Sequence, residues 1–144
     1  MITVLVMMLT SSLMLVIGLV VDGGTARAAR SDALDEANSA ARAGAQMIDE
    51  DALRRDRIIV LDPLAARMAA SDFIAATGDK ADITITEQPA PEPSAVHARA
   101  AVAPPEVTVT VTRTVPTQFL WAVGINSFTE SATATVSPEP GSLP

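Results

Sequence analysis

An uninterrupted apolar run opens the chain and constrains everything that follows. Residues 1–21 carry no charged side chain, and the first charge is Asp22. At 1.5 Å rise per residue, about 20 apolar residues cross a hydrocarbon core of roughly 30 Å as a helix. For a lone segment, only a helix satisfies every backbone group there without water. Thr10, Ser11 and Ser12 fit this reading, because small hydroxyls bond back to carbonyls of their own helix. Gly18 fits too, since glycine is frequent in membrane helices. A cleaved secretory signal would show a basic region first, a shorter apolar core and a small-x-small cleavage site. No Lys or Arg precedes this run. A buried core helix of such uniform apolarity would be hard to cover in a small chain. The expectation is a single-pass membrane anchor, with the lipid bilayer as first partner.

Of 144 residues, those beyond the anchor suffice for one small domain. Three Phe, one Trp and no Tyr promise a thin core, so stability should lean on the anchor and on partners. The net charge of −7 excludes nucleic acid as an expected partner, since no basic stripe can neutralise phosphates. The absence of cysteine removes disulfides, thiolate chemistry and cysteine-ligated zinc, and suits an exported protein.

Past the anchor, Asp22, Gly23, Gly24, Arg27 and Arg30 mark the membrane boundary, the arginines snorkelling along the interface. The glycine pair reads as a hinge or as a close-packing spot within one long helix. Ala26, Ala29, Ala33, Ala37, Ala40, Gly44 and Met47 then recur in steps of three and four, which draws one stripe along a helix. Asp32, Asp35, Glu36 and Arg42 read as lying off it. A stripe of alanine and glycine suits close helix approach, and its partner is either the protein's own domain or, from outside it, neighbouring copies or other subunits. The spacing predicts that the anchor continues as an alanine-rich helix over 22–57, regular to about Asp51, with the charged run from Asp49 to Arg57 as a solvated face.

A small α+β domain is expected over 58–136. Asp62-Pro63 is a helix start, with an acceptor at the N-cap and proline at the first helical position. A second, amphipathic helix should run from Pro63 to Thr77, stop at Gly78, and pack Leu64, Ala65, Met68, Ala69, Phe73 and Ala76 on a sheet. Asp82–Thr86 and Val107–Thr112 alternate Val or Ile with Thr or Asp, the signature of half-buried strands, and Phe128–Val136 is a third candidate. The small antiparallel sheet therefore has about three strands. Proline excludes a central strand from 88–105, which reads as a long loop. The densest large apolar cluster outside the anchor is Val115–Ile125. Phe119, Leu120 and Trp121 there either complete the core or form a bump that touches the membrane or a partner. Residues 137–144, with three prolines, read as a disordered tail.

Catalytic signatures are missing. His97 is the only histidine, so no histidine triad or histidine metal cluster can be assembled. The carboxylates follow helix-surface spacing or charge runs, and Gly23-Gly24 lacks the spacing of a phosphate loop. The expectation is a non-enzyme with no cofactor, no metal and no small-molecule substrate.

The apolar helix ending Leu19-Val20-Val21-Asp22-Gly23-Gly24 resembles that of the TadE/TadG-like pilus-assembly proteins, pilin-like accessory subunits of tight-adherence (Flp) pili. The resemblance continues through Ala28-Ala29-Arg30, Ala40-Ala41-Arg42-Ala43-Gly44-Ala45-Gln46 and the Leu61-Asp62-Pro63 helix. It extends to the Val-Thr strand, the Phe119-Leu120 cluster and the Ala-Thr-rich last strand. It implies a minor pilin or pseudopilin with an extracytoplasmic domain and other pilin-like subunits as partners. Family members carry a basic leader before the apolar helix, whereas Met1-Ile2-Thr3-Val4 begins within it, so no cleavage site can be named. By the positive-inside rule Arg27 and Arg30 would hold the domain in the cytoplasm; the resemblance implies the opposite, and we follow it. The alternative from another class is a membrane-anchored extracytoplasmic binding or sensing module.

Overall fold

The computed structural model describes residues 2–56, 59–86 and 104–138. Among these, the chain forms α1 (Ile2–Ala45), α2 (Glu50–Asp56), α3 (Pro63–Ala75), β1 (Lys80–Thr86), β2 (Glu106–Pro116), a 3-10 turn (Leu120–Val123) and β3 (Ser127–Val136). This is the expected α+β class. The proline-rich loop, His97 and all but the first two residues of the tail lie outside the described residues.

Helix α1 runs without interruption for 44 residues, about 66 Å at the standard rise. It is long and apolar enough to make a candidate single membrane span. Thr10 Oγ1 donates to the Val6 carbonyl at 2.8 Å, the back-bonding that lets a hydroxyl sit in an apolar helix. Gly23 and Gly24 are helical with nothing within 4 Å of an added Cβ, so they neither interrupt the helix nor mark a close-packing spot.

The helix stops at Ala45, short of the expected Asp51. There the chain turns, and the Asp49 and Asp62 N–H groups donate to the Val60 and Met47 carbonyls at 2.8 and 2.9 Å. Asp49 caps a separate helix, its Oδ1 accepting from the Asp51 and Ala52 N–H groups at 2.9 and 3.0 Å. The Asp49 carboxylate thus begins a new helix four residues after α1 stops.

Residues 2–17 of α1 are exposed throughout, and burial begins at Gly18. Ala29, Ala33, Ala37, Ala40 and Gly44 are buried and Ala26 is half-buried. The cover is the protein's own domain, as α1 packs on β2, β3 and α3. Of the two partners the stripe allowed, the structure places the domain on it.

The sheet is antiparallel in the order β1-β2-β3. Val107, Val109 and Val111 face α1 at zero exposure, beside Ala132 and Ala134 of β3. The threonines take the outer face, where Thr108 pairs with Thr135 and Thr110 with Thr133 through hydroxyls at 2.9 Å. Among the described residues, the largest fully buried side chains are three valines and Asp22. Such a core works only if the layers approach closely. A Cβ on Gly44 would lie 3.0 Å from Val107 Cγ1 and 3.1 Å from the Ala66 carbonyl oxygen.

Helix α3 starts as the sequence predicts. Asp62 Oδ1 accepts from the Leu64 and Ala65 N–H groups, both at 3.0 Å, with proline next. It ends at Ala75, two residues early, and Gly78 follows at φ +80°. The packed face is different from the one expected. Ala66, Ala70 and Ile74 are buried, whereas Leu64 and Met68 are 69% and 56% exposed and Phe73 is also exposed. The tight contact with Gly44 admits only small side chains, so the larger ones turn outward. The helix also lies mainly on α1 and meets the sheet chiefly at β1.

Candidate functional site

Strand β2 carries the site to its place. Val107 touches α1 at Gly44, Arg113 reaches Glu36, and Gln118 reaches Asp22, so β2 runs back down the helix. From Gly44 to Asp22 α1 falls about 33 Å, and an extended chain from Val107 to Gln118 covers about 36 Å, so the two keep step. Strand β1 pairs only as far as Thr112, while β3 accompanies β2 to Pro116. The β2–β3 hairpin therefore overshoots β1 and delivers its tip, 117–126, to the end of the apolar stretch.

The tip holds itself closed. The Thr117 N–H donates to the Asn126 carbonyl at 3.1 Å and the Thr117 hydroxyl to the Ile125 carbonyl at 2.5 Å. Gly124, at φ +91°, lets the 3-10 turn reverse, and the Ile125 N–H donates back to Leu120 O at 3.1 Å.

Asp22 clamps this tip. Its Oδ1 accepts from the Gln118 N–H at 2.7 Å, and its Oδ2 accepts from the Phe119 and Leu120 N–H groups at 3.0 and 2.7 Å. These N–H groups open the 3-10 turn, whose own N-cap residue, Phe119, provides no side-chain cap. The carboxylate does from another element what an N-cap does from within. Burial alone would raise the Asp22 pKa, but the three backbone N–H bonds outweigh it and hold the carboxyl below its ordinary value. One turn earlier, Phe119 lies across Gly18, so close that a Cβ there would sit 2.6 Å from Phe119 Cβ.

The boundary residues thus separate into different roles. Asp22 was expected at the polar surface and is instead fully buried beneath the hairpin tip, while Gly23, Gly24, Arg27 and Arg30 are exposed. Of the aromatic cluster, only Leu120 is buried, at 8% exposure; Phe119, Trp121, Val123 and Ile125 remain 45%, 63%, 56% and 43% exposed. Apart from Leu120, these large residues do not complete the core, because the hairpin takes them past the sheet. No charged residue occurs from Thr114 to Thr129.

A second cluster fastens the middle of α1 to the domain. Arg113 Nε and Nη2 reach Asp79 Oδ2 at 2.6 and 2.5 Å, Nη2 reaches Glu36 Oε2 at 3.0 Å, and Nη1 lies 3.5 Å from Asp32. The Thr77 hydroxyl donates to the other Glu36 oxygen. The hydrogen bond to Asp79 raises the Arg113 pKa above its already high value, with the nearby carboxylates adding to it against the cost of burial. Glu36 was expected off the stripe and is buried. Its place three residues after Ala33 and four before Ala40 was the available signal. No comparable signal pointed to the Asp22 clamp, whose donors are backbone groups far along the chain.

Elsewhere, an open depression of about 360 Å³ is lined by Gln46, Ile48, Glu50, Leu53 and Arg54. Its Arg54–Glu50 pair, at 2.6 Å, is solvent-exposed on both sides. Among the described residues, no group of three or more acidic or histidine side chains is placed to hold a metal. Compared with protein-family models, curated proteins and solved structures, the chain matches none.

Proposed function

We propose that the chain is a membrane-anchored, pilin-like subunit serving assembly of a tight-adherence type pilus or a related secretion machine, with its domain outside the cytoplasm and no catalytic role. One observation carries the reading: a single helix is bare over residues 2–17, and between Gly18 and Ala45 one face of it is packed by the protein's own domain. A bare apolar half suits a bilayer, and on assembly the equivalent helices of neighbouring subunits, while the packed half holds the domain at a fixed distance. The residues that resemble TadE/TadG-like proteins lie along this same helix and the sheet that covers it. No nucleic acid, cofactor or small-molecule substrate enters this role.

The test is labelling of single cysteines at Ser71→Cys and Ser131→Cys, both exposed, in a chain without cysteine. A membrane-impermeant maleimide should label intact cells, and a deletion strain should lose its pili. Labelling that appears only after lysis, with full reactivity in a denatured control, would place the domain in the cytoplasm and overturn the proposal.

A further inference from the structure

We propose that the tip of the β2–β3 hairpin is a membrane-docking foot, in which Trp121, Val123, Ile125 and Phe119 enter the interfacial layer of the bilayer that α1 spans. The inference rests on the membrane anchoring proposed above and goes beyond it by assigning a lipid-contacting surface to the folded domain.

Depth is the first argument. Phe119 lies on Gly18, and Gly18 precedes the first charge of the helix by a full turn, about 6 Å along its axis. With the apolar run of α1 in hydrocarbon, the foot therefore stands level with the last turn of that run. Composition is the second. The tip exposes two aromatic and two aliphatic side chains and is free of charge from Thr114 to Thr129, so no charged group in it opposes partial dehydration. Tryptophan is the residue that favours the membrane–water boundary, where its ring is apolar and its N–H finds a polar partner.

Attachment is the third. A loop entering an interface must have its backbone groups satisfied, and here three consecutive N–H groups are held by Asp22. The carboxylate is covered by the loop it binds, so lipid meets the foot while the charge stays inside the protein. The surface is continuous with the lipid-facing side of α1, which identifies lipid, rather than a second protein, as its occupant.

Trp121 is the only tryptophan and the chain has no tyrosine, so intrinsic emission reports this site alone. The experiment reconstitutes the full chain in phosphatidylcholine vesicles, with bromine on the acyl chain near either the headgroup or the methyl end. Insertion of α1 is read in the same vesicles by resistance to alkaline extraction. The expected result is blue-shifted Trp121 emission, strong quenching by headgroup-proximal bromine, weaker quenching by distal bromine, and protection from aqueous acrylamide. Val123→Glu should lift the foot, shifting emission to the red and restoring acrylamide access with unchanged circular dichroism.

An inserted protein whose Trp121 is open to acrylamide and untouched by bromine overturns the foot and leaves the proposed function standing. Shielding from both quenchers that weakens on dilution into more lipid overturns it in favour of contact between copies. A chain that does not insert overturns both proposals.

Discussion

Two substitutions of the same kind, Gly44→Ala and Gly23→Ala, should move stability in opposite directions. Both glycines lie in α1, where replacing glycine with alanine gains about 0.5–1 kcal/mol from restricted backbone freedom in the unfolded chain. At Gly23 nothing lies within 4 Å of the new methyl group, so that gain stands alone. At Gly44 the methyl would meet Val107 Cγ1 at 3.0 Å, the Ala66 carbonyl oxygen at 3.1 Å and Ala70 Cβ at 3.6 Å. Val107 is fully buried and the Ala66 oxygen belongs to a helix backbone, so neither gives way without shifting α3 or the sheet. Overpacking of this kind costs about 1–3 kcal/mol. Gly44 is the penultimate residue of α1, which reduces the helical gain, and the net loss is about 1 kcal/mol. For a domain of this size, 1 kcal/mol moves the melting midpoint by roughly 4–8 °C. Thermal melts of the full chain in detergent, followed by circular dichroism and by Trp121 emission, should place Gly44→Ala below the parent by that amount. Gly23→Ala should lie a few degrees above it. A Gly44→Ala protein as stable as the parent would refute the close three-layer contact on which the small-residue core depends.

Replacing Ala40 with Leu should cost about 1–3 kcal/mol, whereas Asp35→Asn on the exposed face should stay within about 0.5 kcal/mol, read by the same melts. Arg113→Met should destabilise by about 3 kcal/mol, because Glu36 is left buried without its cation, and adding Glu36→Gln should recover much of the loss. The Asp22 clamp predicts a pH dependence with a definite sign. Its folded pKa lies below the ordinary 3.8, so its contribution is complete above about 3.8 and is lost as pH falls through the folded value. The midpoint difference between the parent and Asp22→Asn should be constant near neutrality and close below that pH. A difference that instead grows on acidification would contradict the hydrogen bonds drawn to Gln118, Phe119 and Leu120.

Elements that announce themselves through local chemistry were legible in the sequence. Val107 to Thr112 alternates because one face of β2 is dry and the other wet, and Asp62-Pro63 starts a helix by capping alone. The face of α3 was not legible in this way. In a helix so rich in alanine, the set Leu64, Ala65, Met68, Ala69, Phe73 and Ala76 and the set Ala66, Ala70 and Ile74 both fit helical steps of three and four, and hydrophobicity favours the first set. The structure selects the second because Gly44 and Val107 bring the layers too close for leucine or methionine. Glu36 was misjudged for a related reason, since its charge outweighed a spacing that places it toward the sheet. Asp22 was read as the polar boundary that follows the apolar run; it is buried instead, and its partners are main-chain N–H groups that no side-chain pattern encodes.

Because α1 runs unbroken from its bare apolar half into the half that packs on the domain, the chain has no compliant joint between the two. A pull along the bare half enters the domain as tension in α1 and is shared with the β2–β3 hairpin, which lies alongside it. The Asp22 hydrogen bonds, the Glu36–Arg113 pair and the Gly44–Val107 contact sit in series along that line. They are loaded together in shear instead of being peeled apart one by one. The domain should behave mechanically as a stiff splint on its own helix, yielding late and all at once, which the proposed role of a subunit drawn from a membrane by its root would require.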